Sequence, residues 1–316
     1  MNNYIYLDMN VFIEATNKNR KFYSQLKSKI NNLKEKKYKF FYSPAHIEET
    51  IFINRIESDT QKSKRYIKEQ LNSIFKISKN NEILPSYQEI ITKVEHPNDC
   101  MKRVEKDYYK NTRIAEINNE FIQSYRDEES YKEFFFDYNN FIRLEKFQSK
   151  FNKDDFLYNY LEEMKNTFLL NYNKKEITTE IPLFENLQKK YNINKRDLSN
   201  IEPEIVFENH NLLNFIRNES LYNNEKYRDI KNSHSKIETI ITELLNILEK
   251  AGYQSEGRNK SRSMMHDNTH AIYATKTNFF IINDNRYRKK AKALYSFLEI
   301  PTKVLSIQEF IEQDFI

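Results

Sequence analysis

The stretch Tyr4-Ile5-Tyr6-Leu7-Asp8-Met9-Asn10-Val11-Phe12-Ile13 decides how the rest of the chain is read. Tyr4 to Leu7 is aromatic, β-branched and nearly all apolar, the mark of a short buried strand. Asp8 follows at once, then an amphipathic segment of helical character, so the carboxylate falls at the carboxyl end of the strand. In open α/β sheets that edge is where ligands bind. A cap for the following helix is the plainer reading of the same Asp, and Asn10 could cap as well.

The far end of the chain repeats the pattern. Met264-Met265-His266-Asp267-Asn268-Thr269-His270-Ala271-Ile272-Tyr273-Ala274 reads as the start of a helix with Asp267 at its mouth. Asn278-Phe279-Phe280-Ile281-Ile282-Asn283-Asp284 reads as a second hydrophobic strand ending in a carboxylate. Tyr38-Lys39-Phe40-Phe41-Tyr42 is a third short strand. Ser43-Pro44 opens a helix behind it, because Ser is a good N-cap and Pro is favoured at the first helical position. That helix carries Glu48 and Glu49, with Ile47 and Ile51 on one face. These carboxylates are read as parts of one site, split in sequence and joined in space.

A chain of 316 residues suffices for two modest domains or one domain with a large insertion. With 31% charged residues, a mean hydropathy of -0.85 and only Gly 2 and Pro 6, it is expected to be soluble and mainly helical. Trp is absent, so Tyr, Phe, Ile and Leu must build the core. A net charge of +5 permits a nucleic-acid partner without demanding one. The single cysteine, Cys100, excludes an intramolecular disulfide framework and a cysteine-based zinc site, and fits a reducing, cytoplasmic setting. No apolar run approaches the roughly 20 residues of a membrane span. A strand that starts at residue 4 leads us to expect no signal peptide.

Residues 11–35 read as helix, broken near Asn17-Lys18-Asn19. From about 60 to 245 helical stretches dominate, interrupted at Pro85, Pro97, Pro182 and Pro203. Residues 131–138 are densely aromatic, and 151–170 carry apolar residues at helical spacing. Core packing in a chain without Trp explains the aromatics better than base stacking does. Residues 235–250 form a clear amphipathic helix, closed by Gly252 as C-cap. The loop beyond holds Arg258, Lys260 and Arg262. Residues 286–298 are read as helix, 303–305 as a strand and 307–311 as a last helical turn.

Taken in this order, the motifs resemble the PIN-domain family of metal-dependent nucleases. That family opens with a strand and Asp-x-Asn-Val, matched by Asp8-Met9-Asn10-Val11. Its second acid lies on the helix after strand two, a few residues beyond a Ser; Ser43 leads here to Glu49, with Glu48 as neighbour and rival. Its third is an Asp starting a helix with small residues downstream, matched by Asp267 with Ala271 and Ala274. Its fourth motif ends a strand in Thr-Asn-Asp; here Asn283-Asp284 follow Ile282, which replaces the usual hydroxyl. The resemblance implies an α/β fold: a PIN-like core of residues 1–58 and 236–316, with a central, mainly parallel sheet flanked by helices. A mostly helical insertion, 59–235, interrupts it and is not covered by the resemblance.

The implied activity is metal-dependent endoribonuclease cleavage of phosphodiester bonds, in a bacterial toxin or antiviral effector. Its substrate would be RNA or another single-stranded nucleic acid. The residue chemistry points the same way. Carboxylates converging on one cleft repel one another and raise their own pKa values. A hard divalent cation, Mg2+ or Mn2+, relieves that repulsion, and can activate water for attack on phosphorus. Asp8, Glu49, Asp267 and Asp284 are the expected ligands and catalytic acids. Asn10 and Asn283 would orient water or phosphate, and His270 would serve as a flanking hydrogen-bonding residue. Arg286, Arg288 and Lys289, with the loop cations Arg258, Lys260 and Arg262, would hold the phosphate backbone. A regulatory protein or a second copy of the chain is expected at the insertion, and no membrane. A haloacid-dehalogenase-like phosphatase would need a second Asp where Asn10 stands. The remaining alternatives are a catalytically inactive PIN-like scaffold and a flap-type or single-stranded DNA nuclease.

Overall fold

The computed structural model describes residues 3–56, 60–86, 88–104, 187–220, 222–255 and 261–315; for 52–56, 60, 63 and 261–266 it describes the backbone alone. In chain order its elements begin β1 (Tyr4–Leu7), α1 (Met9–Thr16), α2 (Tyr23–Glu35), β2 (Lys39–Phe41), α3 (Pro44–Ile56), α4 (Thr60–Ser78), β3 (Asn81–Pro85) and β4 (Ile90–Val94). They continue with α5 (Lys195–Ser199), a 3-10 turn (Pro203–Glu208), α6 (His210–Glu219), α7 (Tyr227–Ile230), α8 (His234–Ala251) and α9 (Ser261–Ala274). The last are β5 (Phe279–Ile281), α10 (Asn285–Leu298), β6 (Lys303–Leu305) and α11 (Ile307–Glu312).

β1 is an inner strand of a four-stranded sheet ordered β2-β1-β5-β6, and every pairing in it is parallel. Tyr6 stands opposite Phe41 on one side and Phe280 on the other. Parallel strands are covered on both faces, so they read as continuous apolar runs rather than alternating ones. That is why Ile5, Tyr6, Leu7, Phe280, Ile281 and Ile282 are all fully buried. The fold is therefore α/β, with a parallel sheet flanked by helices, as the strand pattern predicts.

Connectivity creates the crevice. From β1 the chain passes through α1 and α2 to β2 on one side. From β5 it passes through α10 to β6 on the other. Two adjacent parallel strands whose connections leave in opposite directions open a crevice at their carboxyl ends. Asp8 directly follows β1 and Asp284 lies just past β5, so both stand at this edge.

Local chemistry explains most element ends. The break between α1 and α2 covers the predicted Asn17-Lys18-Asn19. In α8 the stripe Ile237, Ile240, Ile241, Leu244, Leu245, Ile247 and Leu248 is buried throughout. Ser233 caps that helix by accepting from the Lys236 amide, and Gly252 closes it at φ 86°, a left-handed conformation that suits glycine.

Two elements depart from the sequence pattern. Asp267 is not at a helix mouth, because α9 already begins at Ser261 and Asp267 falls in its second turn. Asp267, His270, Ala271 and Ala274 then share one face at i, i+3, i+4 and i+7 spacing. The stretch after α4 is a β-hairpin rather than helix, with β3 and β4 antiparallel. Ile83, Ile90, Ile91 and Thr92 supply its β-branched content. Main-chain hydrogen bonds between Tyr42 and both Asn81 and Ile83 fasten β3 beside the end of β2.

The chain divides into one unit of residues 1–104 and 188–316 and another of 105–187. Residues 60–104 and 188–235, read from the sequence as insertion, thus belong to the same unit as the sheet. The aromatic run 131–138 and the helical reading of 151–170 lie outside the described residues.

Phe280 is fully buried, and its ring meets those of Tyr6, Tyr287 and Tyr295. Phe280→Ala should lower stability by about 3–5 kcal/mol, the usual range for an unfilled aromatic site. Urea denaturation followed by circular dichroism checks this.

Candidate active site at the carboxyl edge of the sheet

Asp8 is 3% exposed. It occupies the N-cap position of α1, but its side chain makes no capping bond. The capping explanation of this residue therefore lacks its hydrogen bond. Burial raises the Asp8 pKa to about 6. His270 pulls it back, Glu49 pushes it further up, and Met9 and Asn10 hydrogen bonds lower it again. The Glu49 carboxylate thus lies within electrostatic reach of Asp8. Burial also raises Glu48, with His270 and Glu49 acting on it in opposite directions. Glu49 rather than Glu48 is the residue that bonds His270 and perturbs Asp8.

His270 joins these acids. Its ring is fully buried, and Nε2 lies 3.1 Å from Glu49 Oε1. A carboxylate only accepts, so Nε2 carries the proton and donates. Burial opposes charge on this ring, but Glu49, Asp8 and Asp267 together raise its pKa above the usual imidazole value. Nδ1 faces the Tyr6 hydroxyl at 2.7 Å. Tyr6 Oη also meets Ser43 Oγ at 2.5 Å. Ser43 in turn donates its amide to His46 Nδ1 at 3.0 Å, and His46 Nε2 donates to the Leu7 carbonyl at 2.7 Å. Those two bonds fix the neutral tautomer of His46, and burial lowers its pKa to about 3.

Asp267 perturbs both His270 and Tyr287, and its backbone carbonyl accepts from the Tyr287 hydroxyl. Asp284 behaves differently. Its Oδ1 caps α10, accepting from the Arg286 amide at 2.8 Å and the Tyr287 amide at 2.9 Å. Asn10 and Asn283 are exposed and follow or precede Asp8 and Asp284 closely in the chain, and Ser43 is fully buried against Tyr6 and His46.

The cationic residues are largely tied within the protein. Arg288 binds Glu309 at 2.7 Å and Asn285 at 2.6 Å, and Lys292 also binds Glu309. Arg286 is exposed, with its Nη1 donating to the Ser255 carbonyl at 3.4 Å, and Lys289 is half-buried. Arg258, Lys260 and the Arg262 side chain lie outside the described residues.

Tyr6 is the functional candidate that the sequence pattern missed. It reads as one more apolar strand residue. Yet residues i and i+2 of a strand point to the same face, so Tyr6 shares that of Asp8. A tyrosine in a fully buried strand must also find its hydroxyl a partner. Those two facts together were the available signal.

A second cluster, Glu82, Glu95 and Cys100, brings three potential metal-ligand atoms within 4.8 Å of one another. Its centre is already filled by a cation of the chain. Arg103 Nη2 lies 2.5 Å from Glu82, 2.7 Å from Glu95 and 3.4 Å from the Cys100 sulfur. Burial and the adjoining Glu95 raise Glu82 to about 7.

Comparison of the chain with protein-family models, with curated proteins and with solved structures finds no match in any of the three.

Asp8 gives a stability test in metal-free buffer. Its folded pKa of about 6 lies above the ordinary 3.8. Between those values the folded state keeps a proton that the unfolded state has lost, so stability falls as pH rises through the window. Asp8→Asn should remove that slope. The variant should gain on the order of 3 kcal/mol over wild type at pH 8 and nothing at pH 3. Chemical denaturation across pH, with chelator present, checks the sign.

Proposed function

We infer that this crevice is a metal-dependent phosphodiesterase site and that the chain is an endoribonuclease. The observation that carries the reading is the burial of Asp8 within electrostatic reach of Glu49, at the crevice between β1 and β5. Evolution rarely tolerates a buried carboxylate beside another unless something compensates the repulsion. The donor set is all carboxylate oxygen, which fits a hard divalent cation such as Mg2+ or Mn2+.

In this reading Asp8, Glu49, Asp267 and Asp284 hold the cation. When bound, it supplies Lewis-acid polarisation of the phosphoryl group and acidifies an attacking water. The chain's own residues do the rest. His270 holds Glu49, while the exposed amides of Asn10 and Asn283 orient the phosphate or the water. Arg286 and Lys289 steady the nucleic-acid backbone.

The preference for RNA over single-stranded or flapped DNA rests on the PIN-like resemblance alone, as does the setting of a toxin or antiviral effector. A catalytically inactive scaffold is the second reading. It draws on Asp284, whose carboxylate caps α10.

End-labelled RNA, single-stranded DNA and flapped DNA, each incubated with Mg2+, Mn2+ or chelator, test the proposal. RNA cleavage should require the metal. Asp8→Asn and Glu49→Gln should each reduce it by roughly 100-fold or more, as expected for loss of a ligand to a catalytic metal. Metal-dependent cutting that survives in Asp8→Asn would sink the assignment.

A further inference from the structure

We propose that Tyr6 and His270 are positioning residues that aim the Glu49 carboxylate into the crevice. The inference rests on the metal-site reading given above and adds to it the device that holds one ligand in place.

The geometry is a continuous chain of hydrogen bonds that starts on the backbone of β1. The Leu7 carbonyl holds His46, and His46 accepts the Ser43 amide. Tyr6 Oη sits between Ser43 Oγ at 2.5 Å and His270 Nδ1 at 2.7 Å. His270 Nε2 ends the chain on Glu49 Oε1 at 3.1 Å. Three elements meet in it: β1 supplies Tyr6, α3 supplies His46 and Glu49 with Ser43 just before its first residue, and α9 supplies His270.

Each link is held on more than one side. The His46 and His270 ring centroids are 4.5 Å apart at 69°, and Tyr6 lies 5.7 Å from His270. Tyr6, Ser43, His46 and His270 are all fully buried, whereas the Glu49 side chain keeps 18% exposure. The anchored end of the chain is therefore in the core and only its last member reaches solvent.

A glutamate has several rotatable bonds, and freezing them on ligand binding costs side-chain entropy. A donor fixed in the core removes much of that cost before the ligand arrives. Residues that orient ligands in this way typically change metal affinity by roughly 10–100-fold when lost. A residue that merely fills the core would lower stability and leave affinity alone.

Mn2+ alone is the probe, and its binding to the full chain is followed by titration calorimetry. Asp8→Asn serves as the ligand-loss control. His270→Ala should weaken Mn2+ binding by roughly 10–100-fold. His270→Gln, whose amide can still donate to Glu49, should recover most of that loss. Tyr6→Phe keeps the ring and removes only the hydroxyl. It should weaken binding by roughly 10-fold, and it decides the matter if the His270 variants fail to fold. Binding in Tyr6→Phe and His270→Ala that matches wild type would overturn the positioning role while leaving the metal site standing. Wild-type protein that binds no Mn2+ would overturn both.

Discussion

A carboxylate buried at the end of a central strand is the constraint on which the rest depends. Asp8 cannot be charged there without cost, and Glu49 nearby adds to it. The protein answers with a histidine that Glu49, Asp8 and Asp267 all favour in its charged form. The Glu82–Glu95 pair poses the same problem and receives a different answer. There a guanidinium bonds both carboxylates and the thiol, so the cluster is closed on itself. One set of acids meets a guanidinium that bonds every member; the other meets a buried imidazole at the carboxyl edge of the sheet. That difference, rather than the number of acids, separates a candidate site from a structural ion cluster.

Topology explains why the site is scattered in sequence. Parallel neighbours need crossover connections, so strands that touch are never close along the chain. Asp8 donates its amide to Ile281 at 3.0 Å, across more than 270 residues. The two halves of the sheet supply one edge each to the crevice, and α3 and α9 bring the remaining acids over it. A long segment can intervene because the site is closed by strand pairing.

Much of this was legible in the sequence, for identifiable reasons. Residues 4–7 and 279–281 are unbroken apolar runs ending near Asp, and a parallel sheet buried on both faces requires that composition. The α8 stripe and its Gly252 terminus are periodic and punctuated. The start of α9 was not legible, because Ser261, Ser263 and Asp267 are all good helix-start residues and the sequence alone does not rank them. The β3–β4 hairpin carries the β-branched residues Ile83, Ile90, Ile91, Thr92 and Val94, but it directly follows the long amphipathic helix α4 and reads together with it. The role of Tyr6 was invisible to hydropathy, since its hydroxyl matters only once Ser43 and His270 are known to surround it. The basic face of α10 read as free charge, but Glu309 and Glu249, distant in sequence, engage most of it.

Tyr287 and Tyr295 of α10 donate to the backbone carbonyls of Asp267 and Ala271, one turn apart on α9. Both carbonyls belong to the helix itself, so the contacts are indifferent to the side chains that α9 carries. They set its rotational phase. A turn of α9 by a single residue is about 100°. It would swing Asp267 and His270 off the crevice together while leaving every side chain chemically intact. The angular setting of the helix that carries Asp267 and His270 is thus lodged in two phenols on a neighbouring helix, where no inventory of acids and bases would look for it.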